Sequence, residues 1–192
     1  MSVLIIACGA LAREVRAVAD QLPNFTLRCF PATLHNTPDR IVPAITTILD
    51  DTVGQHDRTI LALGDCGTGG ALDRLCTARD LQRLPGAHCY AFFTGVTDFD
   101  DMMTEELGTF FLTDFLARQF DAMVMRPLGL DRKPELRDMY FGNYKRLVFL
   151  SQTEDADLLA RAKAAAVALD LTFEHRPTGL TPFARDLARL AA

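Results

Sequence analysis

Long apolar runs, a basic N-terminal stretch and a surplus of positive charge are all missing from this chain of 192 residues. No apolar run reaches the ~18 residues that a membrane span requires. The opening Met1-Ser-Val-Leu-Ile-Ile-Ala-Cys8 carries no basic residue. Its apolar stretch is too short for a secretory leader, so a cytoplasmic protein is expected. The formal net charge of −5 excludes a broad basic surface for nucleic acid or anionic lipid. A paired set of cysteines is also missing. The five present, Cys8, Cys29, Cys66, Cys76 and Cys89, suit thiols, metal ligands or reactive groups in a reducing compartment better than a disulfide frame. There is no low-complexity segment and no internal repeat. With 49% hydrophobic and 23% charged residues, the composition is that of an ordinary globular protein. A chain of this length buries about 70% of its unfolded surface without a disulfide or metal staple.

What is there is an alternation of short apolar runs and helical periodicity. Val3 to Ala7 is wholly apolar and ends at Cys8-Gly9, as a parallel strand buried on both faces would. Leu11, Val15, Val18 and Ala19 then follow at helical spacing in a helix from Ala10 to Gln21, stopped by Pro23-Asn24. Further strands are expected at Thr26 to Phe30, Thr59 to Leu63, near Leu81 to Leu84, at Arg146 to Leu150 and, as an edge strand, at Leu171 to His175. Helices are expected from Pro38 with Thr37 as N-cap, from Ala71 to Cys76, from Ala156 to Leu169 and from Phe183 to Ala191. This order predicts one doubly wound α/β domain over 1–192, a mainly parallel sheet with helices on both faces. The segment 99–139 mixes an acidic helix, the aromatic Gly108-Thr-Phe-Phe-Leu-Thr113 and a Pro/Gly loop. It reads as an inserted helical flap, closing over a site or meeting a second copy.

Ligands of such sheets bind outside the carboxyl ends of the strands. The residues expected there are Cys8-Gly9, Leu34-His35-Asn36, Asp65-Cys66-Gly67, His88-Cys89 and Gln152-Thr153. Four of these five turns carry Cys or His. Cys8, Cys66 and Cys89, with His35 as the fourth ligand and His88 as its competitor, form a soft Cys3His set suited to zinc or iron. The same residues support a metal-free reading. Cys66 at a helix start would be the nucleophile, His35 or His88 the base, and Asp65 would orient a His or a ligand. The glycines of the same turn, Gly67, Gly69 and Gly70, could cradle an anion through backbone amides. Neither a phosphatase Cys-x5-Arg loop nor a P-loop is present. Cys29 and Cys76 read as structural, and His56 and His175 as surface residues.

Taken together, Ile6-Ala-Cys8-Gly-Ala-Leu-Ala-Arg-Glu14, Leu34-His35-Asn-Thr-Pro38, Leu63-Gly-Asp-Cys66-Gly-Thr-Gly69, Ala87-His88-Cys89 and Gly108-Thr-Phe-Phe-Leu-Thr113 resemble the bacterial and archaeal family catalogued as domain of unknown function 1638. The resemblance implies an association with corrinoid-dependent methyltransferases and hence with one-carbon metabolism. It adds a third reading, a non-catalytic partner of a corrinoid or of its methyltransferase. In the metal reading, the ligand would be a small molecule such as a methylated amine or thiol.

Overall fold

The computed structural model describes residues 2–19 and 24–192. The expected run of the first helix to Gln21 and its stop at Pro23 lie outside the described residues. The chain divides into two compact units, residues 1–96 with 180–192 and residues 97–179.

The first unit is built on a four-stranded sheet: β1 (Val3–Cys8), β2 (Phe25–Phe30), β3 (Arg58–Ala62) and β4 (Gln82–Arg83), in the order β2-β1-β3-β4. Every pairing is parallel, with Val3 beside Phe25 and Arg58. β1 is buried along its whole length, which explains why it reads as an unbroken apolar run. Alternate residues of β1 serve opposite faces. Val3, Ile5 and Ala7 pack with α1 (Ala12–Ala19), α4 (Tyr90–Thr94) and α9 (Thr181–Ala191) through Leu11, Val15, Phe92, Phe93, Phe183 and Leu187. Leu4, Ile6 and Cys8 pack with α2 (Ile41–Asp51) and α3 (Ala71–Arg79) through Ile41, Ile45, Leu49 and Leu72. Helices therefore cover both faces, as expected of a doubly wound sheet. Thr37 precedes a 3-10 turn (Pro38–Arg40) that leads into α2, and its side chain makes no cap bond.

The second unit departs from the expected single sheet. Thr109–Leu112, placed in a flap by the sequence reading, is a strand, β5. It pairs in parallel with β6 (Arg146–Ser151), which pairs in parallel with β7 (Thr172–Pro177). The result is a separate three-stranded sheet, β5-β6-β7. Leu147 and Phe149 of β6 face a core built with α6 (Asp114–Arg118), α7 (Arg137–Phe141) and α8 (Ala156–Leu169). The acidic helix α5 (Val96–Glu105) packs Phe99 on Phe111 of β5. The helical alternation is masked in the sequence because α6 and α7 have five residues each and are joined through a π-helical turn at Asp121–Met125. Both units are α/β with parallel sheets only. No helix among the described residues is long and apolar enough to cross a membrane.

Candidate functional site

Cys8 is the last residue of β1. Its Sγ accepts a bond from Ala10 N at 3.4 Å and caps the 3-10 turn Gly9–Leu11. Gly9 allows the exit of β2 to pass close by: a Cβ there would stand 3.2 Å from Phe30 O and 3.4 Å from Ala32 N. That approach brings the 3-10 turn Ala32–Asn36, and with it His35, over Cys8. Cys8 Sγ lies 3.7 Å from His35 Nδ1, which is also 3.0 Å from Ala32 O. The carbonyl can only accept, so the neutral ring carries its proton on Nδ1. Burial lowers the His35 pKa, so the ring is neutral near pH 7; this is the form that ligates metals.

The turns after β3 and β4 are joined just as closely. Cys66 N donates to Ala87 O at 3.2 Å. A Cβ on Gly64 would fall 2.9 Å from Ala87 O and 3.1 Å from His88 C. Cys66 has a left-handed backbone, φ 50°, and Gly67 beside it faces Pro38. Cys89 precedes α4 and packs against the α1/α4/α9 core, whereas Cys66 packs against the α2/α3 core.

The three strand-end cysteines are electrostatic neighbours. Burial pushes all three thiols up, Cys8 to about 12. Beyond burial, the charge of Cys66 raises Cys8, and the charges of Cys66 and Cys8 raise Cys89. Of the four expected ligands, Cys8 and His35 are in direct contact, and the charge of His88 reaches His35. Among the described residues, however, no three His, Cys, Asp or Glu side chains already stand around one point as metal ligands.

Asp65 has a structural task in its turn. Its Oδ1 accepts from Thr68 Oγ1 at 2.5 Å and from Gly70 N at 3.1 Å, and its Oδ2 accepts from Gly69 N at 3.2 Å. Burial works to raise this carboxyl, but those three bonds, with the charge of Arg83, outweigh it and hold it below its ordinary value. The amides of Gly69 and Gly70, expected to cradle an external anion, are turned onto an internal one. Gly67 sits at the rim against Pro38. Cys29 is exposed on β2 and Cys76 is half-buried in α3. The Gln152-Thr153 turn belongs to the second sheet. There it takes part in a buried polar lock in which Asp114 Oδ1 accepts from Gln152 N at 3.1 Å and Gln152 Oε1 accepts from Asp114 N at 2.9 Å. His175, read as a surface residue, is 2.9 Å from Ser151 Oγ.

One buried acidic residue lies outside the expected set. Glu14, in the first turn of α1, is buried and its charge reaches Cys89. The sequence carries a signal for it: position 14 lies three after Leu11 and four before Val18, on the apolar stripe of α1.

By its parallel sheets and covering helices the chain is an α/β protein. The chain belongs to the family described as "Protein of unknown function (DUF1638)", which it matches over residues 29–187. His35, Cys66, His88 and Cys89 fall inside the match, and Cys8 precedes it. Neither a curated protein nor a solved structure matches the chain.

Proposed function

We propose that the strand ends of the first sheet bind a thiophilic metal ion, zinc or iron, through Cys8, Cys66, Cys89 and His35, in a cytoplasmic protein that handles a small ligand. The observation that carries this reading is the pairing of Cys8 with His35. Tetrahedral zinc with Zn–S of about 2.3 Å and Zn–N of about 2.0 Å has an S···N edge of about 3.5 Å. The Cys8 Sγ to His35 Nδ1 separation is 3.7 Å. Binding through Nδ1 would move the ring proton to Nε2. Cys66 and Cys89 lie close enough to be felt electrostatically and would turn their thiols inward.

A bound ion would supply Lewis acidity to a small ligand that adds as a fifth donor or displaces one of the four. The chain's own groups would give up thiol protons on loading, so affinity rises with pH. His35 stays neutral, and the Asp65 turn keeps Cys66 facing the loop that carries Cys89. The raised thiols count against a metal-free nucleophile, which needs a depressed pKa. On the association with corrinoid methyltransferases that the family resemblance implies, the small ligand would be a methylated amine or thiol and the setting one-carbon metabolism.

Elemental analysis of protein purified without added metal or chelator tests the reading, followed by Co(II) titration. We expect about one ion per chain and a thiolate-to-cobalt charge-transfer band. Each of Cys8→Ser, Cys66→Ser and Cys89→Ser should weaken binding at least about 10-fold, while Cys76→Ser leaves it unchanged. Background metal levels together with cobalt binding that shows no thiolate band would overturn it.

A further inference from the structure

We propose that the second sheet carries a nucleophilic serine, Ser151, with His175 as its base, and that this pair cleaves small acyl esters. The pair follows from strand register. On β6, Leu147, Phe149 and Ser151 share one face, because alternate residues of a strand do. The first two enter the core, and the row ends in a hydroxyl. His175 of β7 stands beside Phe149 in the parallel register. Its ring stacks on that phenyl ring, with centroids 5.4 Å apart and planes inclined by 17°. Held flat in this way, the imidazole reaches further along β6, and its Nε2 lies 2.9 Å from Ser151 Oγ.

The backbone around the serine is fixed from both sides. Ser151 O accepts from Thr178 N at 2.9 Å and from Gly179 N at 3.2 Å. Gln152, the next residue, is held by Asp114 in the polar lock described above. Among the described residues, the side chains of Ser151 and His175 hydrogen-bond only to each other, and His175 is exposed. The carboxyl end of a parallel strand is where ligands of such folds bind. A hydroxyl within hydrogen-bond reach of an imidazole is the arrangement of an activated nucleophile.

Neutral His175, with its proton on Nδ1, accepts the Ser151 hydroxyl at Nε2. Oγ attacks the ester carbonyl carbon as that proton passes to Nε2. The bond from this carbon to the alcohol oxygen then breaks, and the alcohol leaves with the proton from Nε2. Water next gives a proton to Nε2 as its oxygen attacks the acyl-serine. The carboxylic acid departs, and the proton returns to Oγ. Ser151 is only 4% exposed, so the acyl group must be short.

Diisopropyl fluorophosphate tests the pair on the full chain. The reaction is run in chelator, which keeps its outcome independent of the metal reading. The serine oxygen displaces fluoride and gains a diisopropylphosphoryl group, mapped by peptide mass spectrometry. We expect one label per chain, on Ser151. Hydrolysis of p-nitrophenyl acetate by labelled protein should fall to the rate shown by Ser151→Ala. His175→Gln should slow labelling at least about 100-fold while unfolding thermally as wild type does. A wild type left unlabelled at Ser151 overturns the proposal without any substitution. So do labelling of H175Q at the wild-type rate and equal ester hydrolysis by wild type and S151A.

Discussion

Cys66 combines two demands that a single residue seldom meets. Its left-handed backbone, φ 50°, is a conformation in which glycine is free of the steric cost that a side chain brings, about 1 kcal/mol or more. Its thiol, however, is one of the three proposed above as metal ligands. Comparing two truncations separates these demands, since Cys66→Gly and Cys66→Ala both remove the sulfur and only the first relieves the backbone. The glycine variant should be the more stable of the two by about 1 kcal/mol in denaturant unfolding, and both should bind Co(II) about 10-fold or more weakly than wild type. An alanine variant as stable as the glycine variant would show that the turn imposes no such cost. His35 and Glu14 are read differently at this scale. His35 is visible in the sequence because it follows a strand and precedes Pro38. Glu14 is visible only as a carboxylate on an apolar helical stripe.

At the scale of elements, the site depends on how closely two turns approach. Gly64 lets the β3 exit touch the Ala87-His88 backbone, and an alanine there would overlap Ala87 O at 2.9 Å. Backbone cannot rotate away as a side chain can, so Gly64→Ala should cost about 1–3 kcal/mol and weaken cobalt binding by pushing Cys89 from Cys66. Gly69→Ala is the control: its φ of 60° carries strain, but nothing lies within 4 Å of the added Cβ. Thermal unfolding and cobalt titration of the pair check this; equal metal affinity in G64A and wild type would contradict it. Elements of ordinary length were legible in the sequence. The expected helix from Ala156 to Leu169 coincides with α8, whose N-cap Asp155 accepts from the amides of Asp157 and Leu158. The buried strands β1 and β6 were legible for the same reason, a continuous apolar run. The division into two sheets was not, because neither run records which strand it pairs with. Five-residue helices and a π-helical turn also carry too few periods to declare themselves. The strand-end turns could be read once the strands were right, while the approach of Gly64 to residues 87–88 exists only in three dimensions.

At the scale of the whole molecule, the buried thiols set how stability responds to pH. A thiol raised on folding stays protonated while the unfolded chain ionises. Above pH 9 the unfolded state therefore binds fewer protons, and stability falls as pH rises. For Cys8 the window runs from its ordinary 9.0 to about 12. Metal-free protein should hold a flat unfolding free energy from pH 7 to 9 and lose stability above it, with a shallower loss in Cys8→Ala; identical slopes would remove Cys8 as the cause. The two units differ in another respect. Residues 97–179 form their unit from one uninterrupted stretch of chain. The first unit does not, because α9 returns to lay Phe183 against Phe92 and Phe93, and Leu187 in the same core. During synthesis the ribosome therefore releases every strand of the first sheet, and then the entire second unit, before residues 181–191 emerge to complete the first core. The part of the chain made first is the part finished last, and nascent strands β1 to β4 must be kept from wrong partners for the time it takes to translate the rest.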